Sequence, residues 1–210
     1  MAKTVLDILK KVGAVITDDH FVYTSGKHGS VYVNKDAVYP HTKETAQIGK
    51  MFAEKFKNTN IDIVAAPALG GIILSQWTAF YLSKLKGKEI LGVYTEKGAD
   101  KTMIFTRGYD KLIKGKKVLV IEDLITTGGS VKKVVDVVRA TGGKVVGVGV
   151  MVNRVPDFVN AKMLDVSKFE ALGVVKASAV DEAECPLCKK NIPVNIKIGH
   201  GKKYMEGKNK

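Results

Sequence analysis

At 210 residues, with 45% hydrophobic and 26% charged side chains, the chain is long enough for one well-buried core and has the balance of a folded protein, which excludes a disordered chain. Its formal net charge of +13 suits a polyphosphate ligand, but the lysines scatter over expected helix surfaces and concentrate only in "GHGKKYMEGKNK", so nucleic acid is not the expected partner. Two cysteines are too few for a disulfide framework, and the most apolar stretch, 61 to 82, is broken by Asp62, Pro67 and Gly70-Gly71, so the expectation is a cytoplasmic protein without secretory leader or membrane span.

Residues 1 to 40 read as a short amphipathic helix followed by the β-rich "HFVYTSGKHGSVYVN". From residue 42 onward, helix and strand signals alternate. A helix over 42–57 precedes the strand "IDIVAAP" (61–67), a Gly-rich bend and a helix over 71–85, then the strand "EILGVY" (89–94). The apolar run 117–122 is a strand leading into a helix over 130–140, which is ended by Thr141-Gly142-Gly143 and followed by a strand over 144–152.

Val131, Val134, Val135 and Val138 recur at i, i+3, i+4 and i+7, so the helix over 130–140 lays one face on a sheet. Strands of near-continuous valine and isoleucine joined through helices predict an α/β fold with a parallel sheet covered on both faces. Residues 177–210 read as irregular. One domain over 1–210 is expected, its core at about 42–176 and the segments 1–41 and 177–210 forming a small hood over the sheet edge.

In "KKVLVIEDLITTGGSV" (116–131) a strand runs into Glu122 and Asp123 and then into hydroxyls and glycines. Ligands of parallel α/β sheets bind at the carboxyl ends of the strands. Thr126, Thr127, Gly128, Gly129 and Ser130 open a helix there, and backbone N–H groups, hydroxyls and the helix dipole all favour a phosphate monoester. A plain capped turn would use the same glycines. The acids decide between the two, because carboxylates accept from vicinal hydroxyls: a ribose 5-phosphate would set its phosphate on the loop and its 2- and 3-hydroxyls on Glu122 and Asp123.

"VLVIEDLITTGGS" (118–130) resembles the ribose-phosphate signature of type I phosphoribosyltransferases, and "FVYTSGKHGSVYVN" (21–34), "AAPALGGI" (65–72) and "VNR" (152–154) are similar to segments of the orotate phosphoribosyltransferases. The resemblance spans residues 5 to about 180. It implies the type I phosphoribosyltransferase fold and transfer of a phosphoribosyl group from 5-phosphoribosyl 1-diphosphate, with Mg2+, to a nitrogen base, orotate first. It also implies a homodimer. Ala68, Leu69, Gly70 and Gly71 would bind diphosphate through backbone amides, and Lys27, Tyr32, Thr126 and Arg154 would face the base, the guanidinium suiting a planar anion with exocyclic carbonyls. The bland alternatives are a helix-packing bend at Gly70-Gly71 and a surface ion pair at Arg154.

The chain departs from the family in its lid. In "VYTEKGADKTMIFTRGYDKLIKGKK", Tyr94 and Thr95 stand where the family has an Arg-Lys pair, there is no histidine, and Thr24 replaces the lysine before "SG". Lys97, Lys101 and Arg107 are the cations left to meet the departing diphosphate. Three readings stay open: these residues compensate, another base (purine or xanthine type) is used, or the chain is a non-catalytic regulator that binds phosphoribosyl diphosphate.

"CPLCKKNIPVNIKIGHG" places Cys185 and Cys188 at zinc-knuckle spacing with His200 as a third ligand and no evident fourth. Reduced thiols shaping a turn are the plainer reading, and a redox pair lacks its usual βαβ setting.

Overall fold

The structure, a computed structural model, describes residues 4–100, 102–176 and 179–208. Helix α1 (Val5–Lys11) starts with a capping box between Thr4 and Asp7. Four short strands follow: β1 (Val15–Ile16), β2 (Phe21–Val22), β3 (His28–Gly29) and β4 (Tyr32–Val33), with β1 paired to β4 and β2 to β3, both antiparallel. A 3-10 turn at Lys35–Val38 leads to α2 (Thr42–Phe56), β5 (Ile63–Pro67), α3 (Gly70–Lys86), β6 (Leu91–Lys97), β7 (Met103–Ile104) and α4 (Tyr109–Ile113). Then come β8 (Lys117–Ile125), α5 (Gly129–Ala140), β9 (Lys144–Asn153), α6 (Ala161–Leu164) and β10 (Phe169–Val174). A 3-10 turn at Glu182–Glu184, α7 (Pro186–Lys189) and α8 (Gly201–Lys208) complete the described chain.

The central sheet has six strands in the order β10-β9-β8-β5-β6-β7, parallel throughout except for the β6–β7 pair. Successive side chains of a strand face opposite ways, and β8 divides accordingly. Leu119 and Ile121 join Phe52 and Phe56 of α2, Leu74 of α3 and Ile8 and Leu9 of α1. Val118 and Val120 join Val131, Val134, Val135 and Val138 of α5. These side chains are 0–1% exposed, and each contributes about 1.5–3 kcal/mol by leaving water. Two apolar layers therefore hold β8 in the middle of the sheet.

The long helices fall where periodicity placed them, whereas β8 runs on past Glu122 to Ile125 and so takes Asp123 into the strand as well. Several elements, among them β10, β7 and α8, had no clear sequence signal. β10 is an edge strand with no fully buried position, β7 is two residues long, and α8 orders part of the C-terminal segment expected to be irregular. Of the terminal segments, α1 packs by the edge strand β10, where a Cβ on Gly173 would meet Val5 and Leu6, while Tyr23, Thr24, β4 and His200 line a cavity with Leu124 of β8 and with Arg154 after β9.

Candidate active site

At the carboxyl end of β8, Glu122 and Asp123 are 6% and 4% exposed. Adjacent in a strand, they diverge. Asp123 Oδ2 accepts from Lys35 Nζ at 2.8 Å and Tyr39 OH at 2.9 Å, both on the turn after β4, while Glu122 Oε1 accepts from the Asp123 N–H at 3.0 Å. Burial, reinforced by the neighbouring Asp123 charge, pushes the Glu122 carboxyl up to about 8. Burial, then the Asp123 charge, raises the Tyr39 phenol, which stays a donor. At Lys35 burial pulls downward, but the hydrogen bond and charge of Asp123 outweigh it and raise its pKa, so the ammonium persists.

The loop between β5 and α3 closes on this pair. Its Ala68–Leu69 peptide is cis. A Cβ on Gly70 would lie 2.1 Å from Asp123 Oδ2 and 2.4 Å from the Tyr39 hydroxyl, so only glycine fits this approach. Ala68, Leu69, Gly70 and Gly71 line a cleft of about 230 Å³ together with Lys35, Lys97, Glu122, Asp123 and Ser130. The residues expected to bind diphosphate thus share one cavity with the acids, two ammonium groups and the start of α5.

Thr126, Thr127, Gly128, Gly129 and Ser130 surround a small hollow of about 30 Å³ at the N-terminus of α5, with Glu122 on its wall. Gly128 caps the helix at φ +79°, a conformation closed to β-branched residues, and the Gly129 N–H donates to Thr127 Oγ1 at 3.3 Å. A third cavity, about 550 Å³, continues from Leu124, Thr126 and Thr127 to Arg154 and Val155 after β9, and is roofed by Tyr23, Thr24, Tyr32 and His200. Arg154 sits 4.9 Å from the centre of the Tyr23 ring, and its Nε is buried with no hydrogen-bond partner. A guanidinium over an aromatic face with an unused donor suits a planar ligand bearing acceptors.

Some expected residues lie elsewhere. Lys27 is outside the base-side cavity: the Tyr23–Lys27 turn sends it to Asp181, 3.1 Å from the carboxylate. Arg107, at φ +58°, pairs with Glu96 at 3.4 Å and does not line the cleft, and the Thr106 hydroxyl bond, followed by Arg107, lowers the Glu96 pKa. Lys97 does line it, and Lys101 lies outside the described residues. His200 does not join the cysteines. Its N–H donates to the Val22 carbonyl and its Nε2 lies 3.2 Å from Thr24 Oγ1, which turns the ring to the base-side cavity. The cysteines instead meet His20 and His28.

Lys35 and Tyr39 were missed in the sequence. Their only signal there is a lysine and a tyrosine four apart in "NKDAVY", a spacing that places both on one side of a helical turn.

The phosphoribosyl transferase domain family matches residues 34–178. The chain is 37% identical over 198 residues to the orotate phosphoribosyltransferase of Caldanaerobacter subterraneus subsp. tengcongensis, covering 94% of this chain and 97% of that protein. The chain belongs to the orotate phosphoribosyltransferase family. Another such member, from Thermotoga maritima, is 36% identical over 188 residues, covering 89% of this chain and 93% of its own. The type I phosphoribosyltransferase fold appears in the crystal structure of the Mycobacterium tuberculosis orotate phosphoribosyltransferase in complex with inorganic phosphate, which superposes with a TM-score of 0.65 at 22% identity, covering 81% of this chain and 95% of that one. The Aeropyrum pernix orotate phosphoribosyltransferase gives 0.62 at 24% identity, covering 82% and 94%. As a family member the chain is a pentosyltransferase. No helix among the described residues is long and apolar enough to cross a membrane.

Proposed function

We propose that this chain transfers the phosphoribosyl group of 5-phosphoribosyl 1-diphosphate to orotate, giving orotidine 5'-monophosphate and diphosphate. One observation carries the assignment of subsites: the three cavities are contiguous, sharing Glu122, Leu124 and Ser130 on one side and Leu124, Thr126 and Thr127 on the other. Diphosphate and base both meet C1 of the ribose and the phosphate hangs from C5, so a ribose seated at Glu122 and Asp123 would reach all three cavities.

In this reading the Thr126–Ser130 loop holds the 5-phosphate and Glu122 and Asp123 accept from the ribose hydroxyls, Asp123 oriented by Lys35 and Tyr39. The diphosphate lies on Ala68–Gly71, where Lys35 and Lys97 meet its charge. Orotate lies in the base-side cavity, below the Tyr23–Tyr32 roof and beside Arg154. The C1–O bond to diphosphate breaks with its electron pair going to the leaving group, and a ring nitrogen of the base forms the new bond to C1 as its N–H proton passes to the departing diphosphate or to solvent. Charge develops on the departing oxygens, so Lys97 acts mainly in the transition state.

The buried Asp123 carboxylate, joined by Glu122 when it ionises, is a hard oxygen donor set beside the diphosphate cleft that would fit Mg2+. When bound, Mg2+ supplies positive charge to the leaving diphosphate. We place the chain in the cytoplasm as one phosphoribosyltransferase domain that works as a homodimer. The exposed Ile73 and Phe80 of α3, with Trp77 and Tyr81 packed beside Phe80, offer the apolar surface such a dimer needs.

The test is incubation with Mg2+, phosphoribosyl diphosphate and a panel of pyrimidine and purine bases, with mass detection of product. Orotidine 5'-monophosphate from orotate is expected. A nucleotide from another base alone, or tight phosphoribosyl diphosphate binding without product, would replace this reading by another base specificity or by a regulator.

A further inference from the structure

We propose that His20, His28, Cys185 and Cys188 form a tetrahedral structural zinc site that ties the two terminal segments together beneath the roof of the base-side cavity. The four residues come from two parts of the chain more than 150 positions apart, yet one ligand atom from each lies within 4.8 Å of all the others. His20, His28 and Cys185 are 0–1% exposed, and Cys188 is half-buried.

The distances suit the ion. Zinc bonds of about 2.3 Å to sulfur and 2.0–2.1 Å to nitrogen put tetrahedral donor atoms roughly 3.3–3.8 Å apart. Cys188 Sγ lies 3.4 Å from His28 Nδ1 and 3.7 Å from His20 Nε2, and Cys185 Sγ lies 3.7 Å from His20 Nε2. The two ring nitrogens, 2.8 Å apart, must separate by about half an ångström, and the remaining pairs lie within 4.8 Å.

The tautomer of His20 is set from outside the cluster. Its Nδ1 lies 2.7 Å from the Ile192 carbonyl, which can only accept, so Nδ1 carries the proton and the Nε2 lone pair faces the other three donors. A carbonyl behind a ligating imidazole is the usual second contact of such sites. A proton shared between the rings would satisfy the two nitrogens alone, whereas a divalent ion with affinity for sulfur and imidazole satisfies all four donors. With four protein ligands the site is closed, so its role is structural. Holding β2 and β3 against α7 fixes the hairpin that carries Tyr23 and Thr24 into the base-side cavity.

The full chain, purified without chelators and under reducing conditions, should carry one zinc per polypeptide by elemental analysis. Replacing zinc by Co2+ should give visible ligand-field bands and thiolate-to-cobalt charge transfer. His28→Gln and Cys188→Ser should each lose the metal at least tenfold, His28→Cys should keep it with a shifted cobalt spectrum, and His200→Ala should keep it unchanged. Stripping zinc should speed amide exchange around residues 19–29 and 182–195 and leave β8 protected. Wild-type protein that takes up neither Zn2+ nor Co2+ to stoichiometry, a cobalt spectrum without the thiolate band, or a Cys185–Cys188 disulfide that persists in reductant would each overturn the site.

Discussion

The cradle at β8–α5 and the arm formed by β6 and β7 face each other across one cleft, yet they are built by opposite means. The cradle is a continuous run of residues fixed by two apolar layers, so its polar groups are positioned before any ligand arrives. The arm extends past the sheet as a narrow hairpin, Glu96 opposite Ile104 and Lys97 opposite Met103, closed by the Gly98–Thr102 backbone bond and by side-chain bonds from Thr102 to Asp100 and from Thr106 to Glu96. In the proposed reading, ground-state grip belongs on the side held by the core, and charge needed only as a bond breaks belongs on the narrow arm.

The sharpest way to break this contrast is at Gly128. A valine there would have to adopt φ +79° and place its Cβ 3.2 Å from Val159 and 3.1 Å from Met163, a strain on the order of 1–3 kcal/mol in the loop proposed to hold phosphate. Gly128→Val should abolish the thermal stabilisation given by phosphoribosyl diphosphate, read as a melting-temperature shift with and without ligand. An undiminished shift would mean that the phosphate binds elsewhere.

On the arm the expectation is the reverse, because Lys97 reaches the cleft and Arg107 is turned to Glu96. Lys97→Ala should lower turnover by about 100-fold with little change in phosphoribosyl diphosphate affinity, the scale of one transition-state donor, while Arg107→Ala should stay within a few-fold of wild type. Equal turnover for the two variants would remove the distinction between them.

A further effect concerns pH. Glu122 has a folded pKa raised from 4.5 to about 8, so folding favours its protonated form. The stability this gives is complete below pH 4.5 and is lost as pH rises toward and through 8, by a few kcal/mol at most at roughly 1.4 kcal/mol per unit. Denaturant unfolding of the ligand-free protein should show this decline, and Glu122→Gln should flatten it. An identical slope in the variant would assign the pH dependence to other groups.

The same contrast explains what could be read from the chain. The cradle was legible because strand, acids, loop and helix are contiguous and each obeys a local rule: the valine period, the glycine at positive φ, the acids at a strand end. The partners of Asp123 were not legible, since Lys35 and Tyr39 reach it from more than 80 residues away. His20 and His28 escaped for the same reason, as histidines in a β-rich stretch look no different from core residues until the C-terminal segment folds against them. Lys27 and Arg107 show the converse: the sequence placed them near the site, but a turn and an ion pair point them away from it.

The roof over the base-side cavity also has a bearing on the order in which the protein becomes competent. It joins residues 20–32 to residues 179–200 through the His28–Val180 bridge, the Asn195 N–H to the His20 carbonyl, and the Thr24–His200 contact. During synthesis the cradle leaves the ribosome well before His200 does. The base-side cavity is therefore closed only once the C-terminal segment has been made, later than the loop at the start of α5.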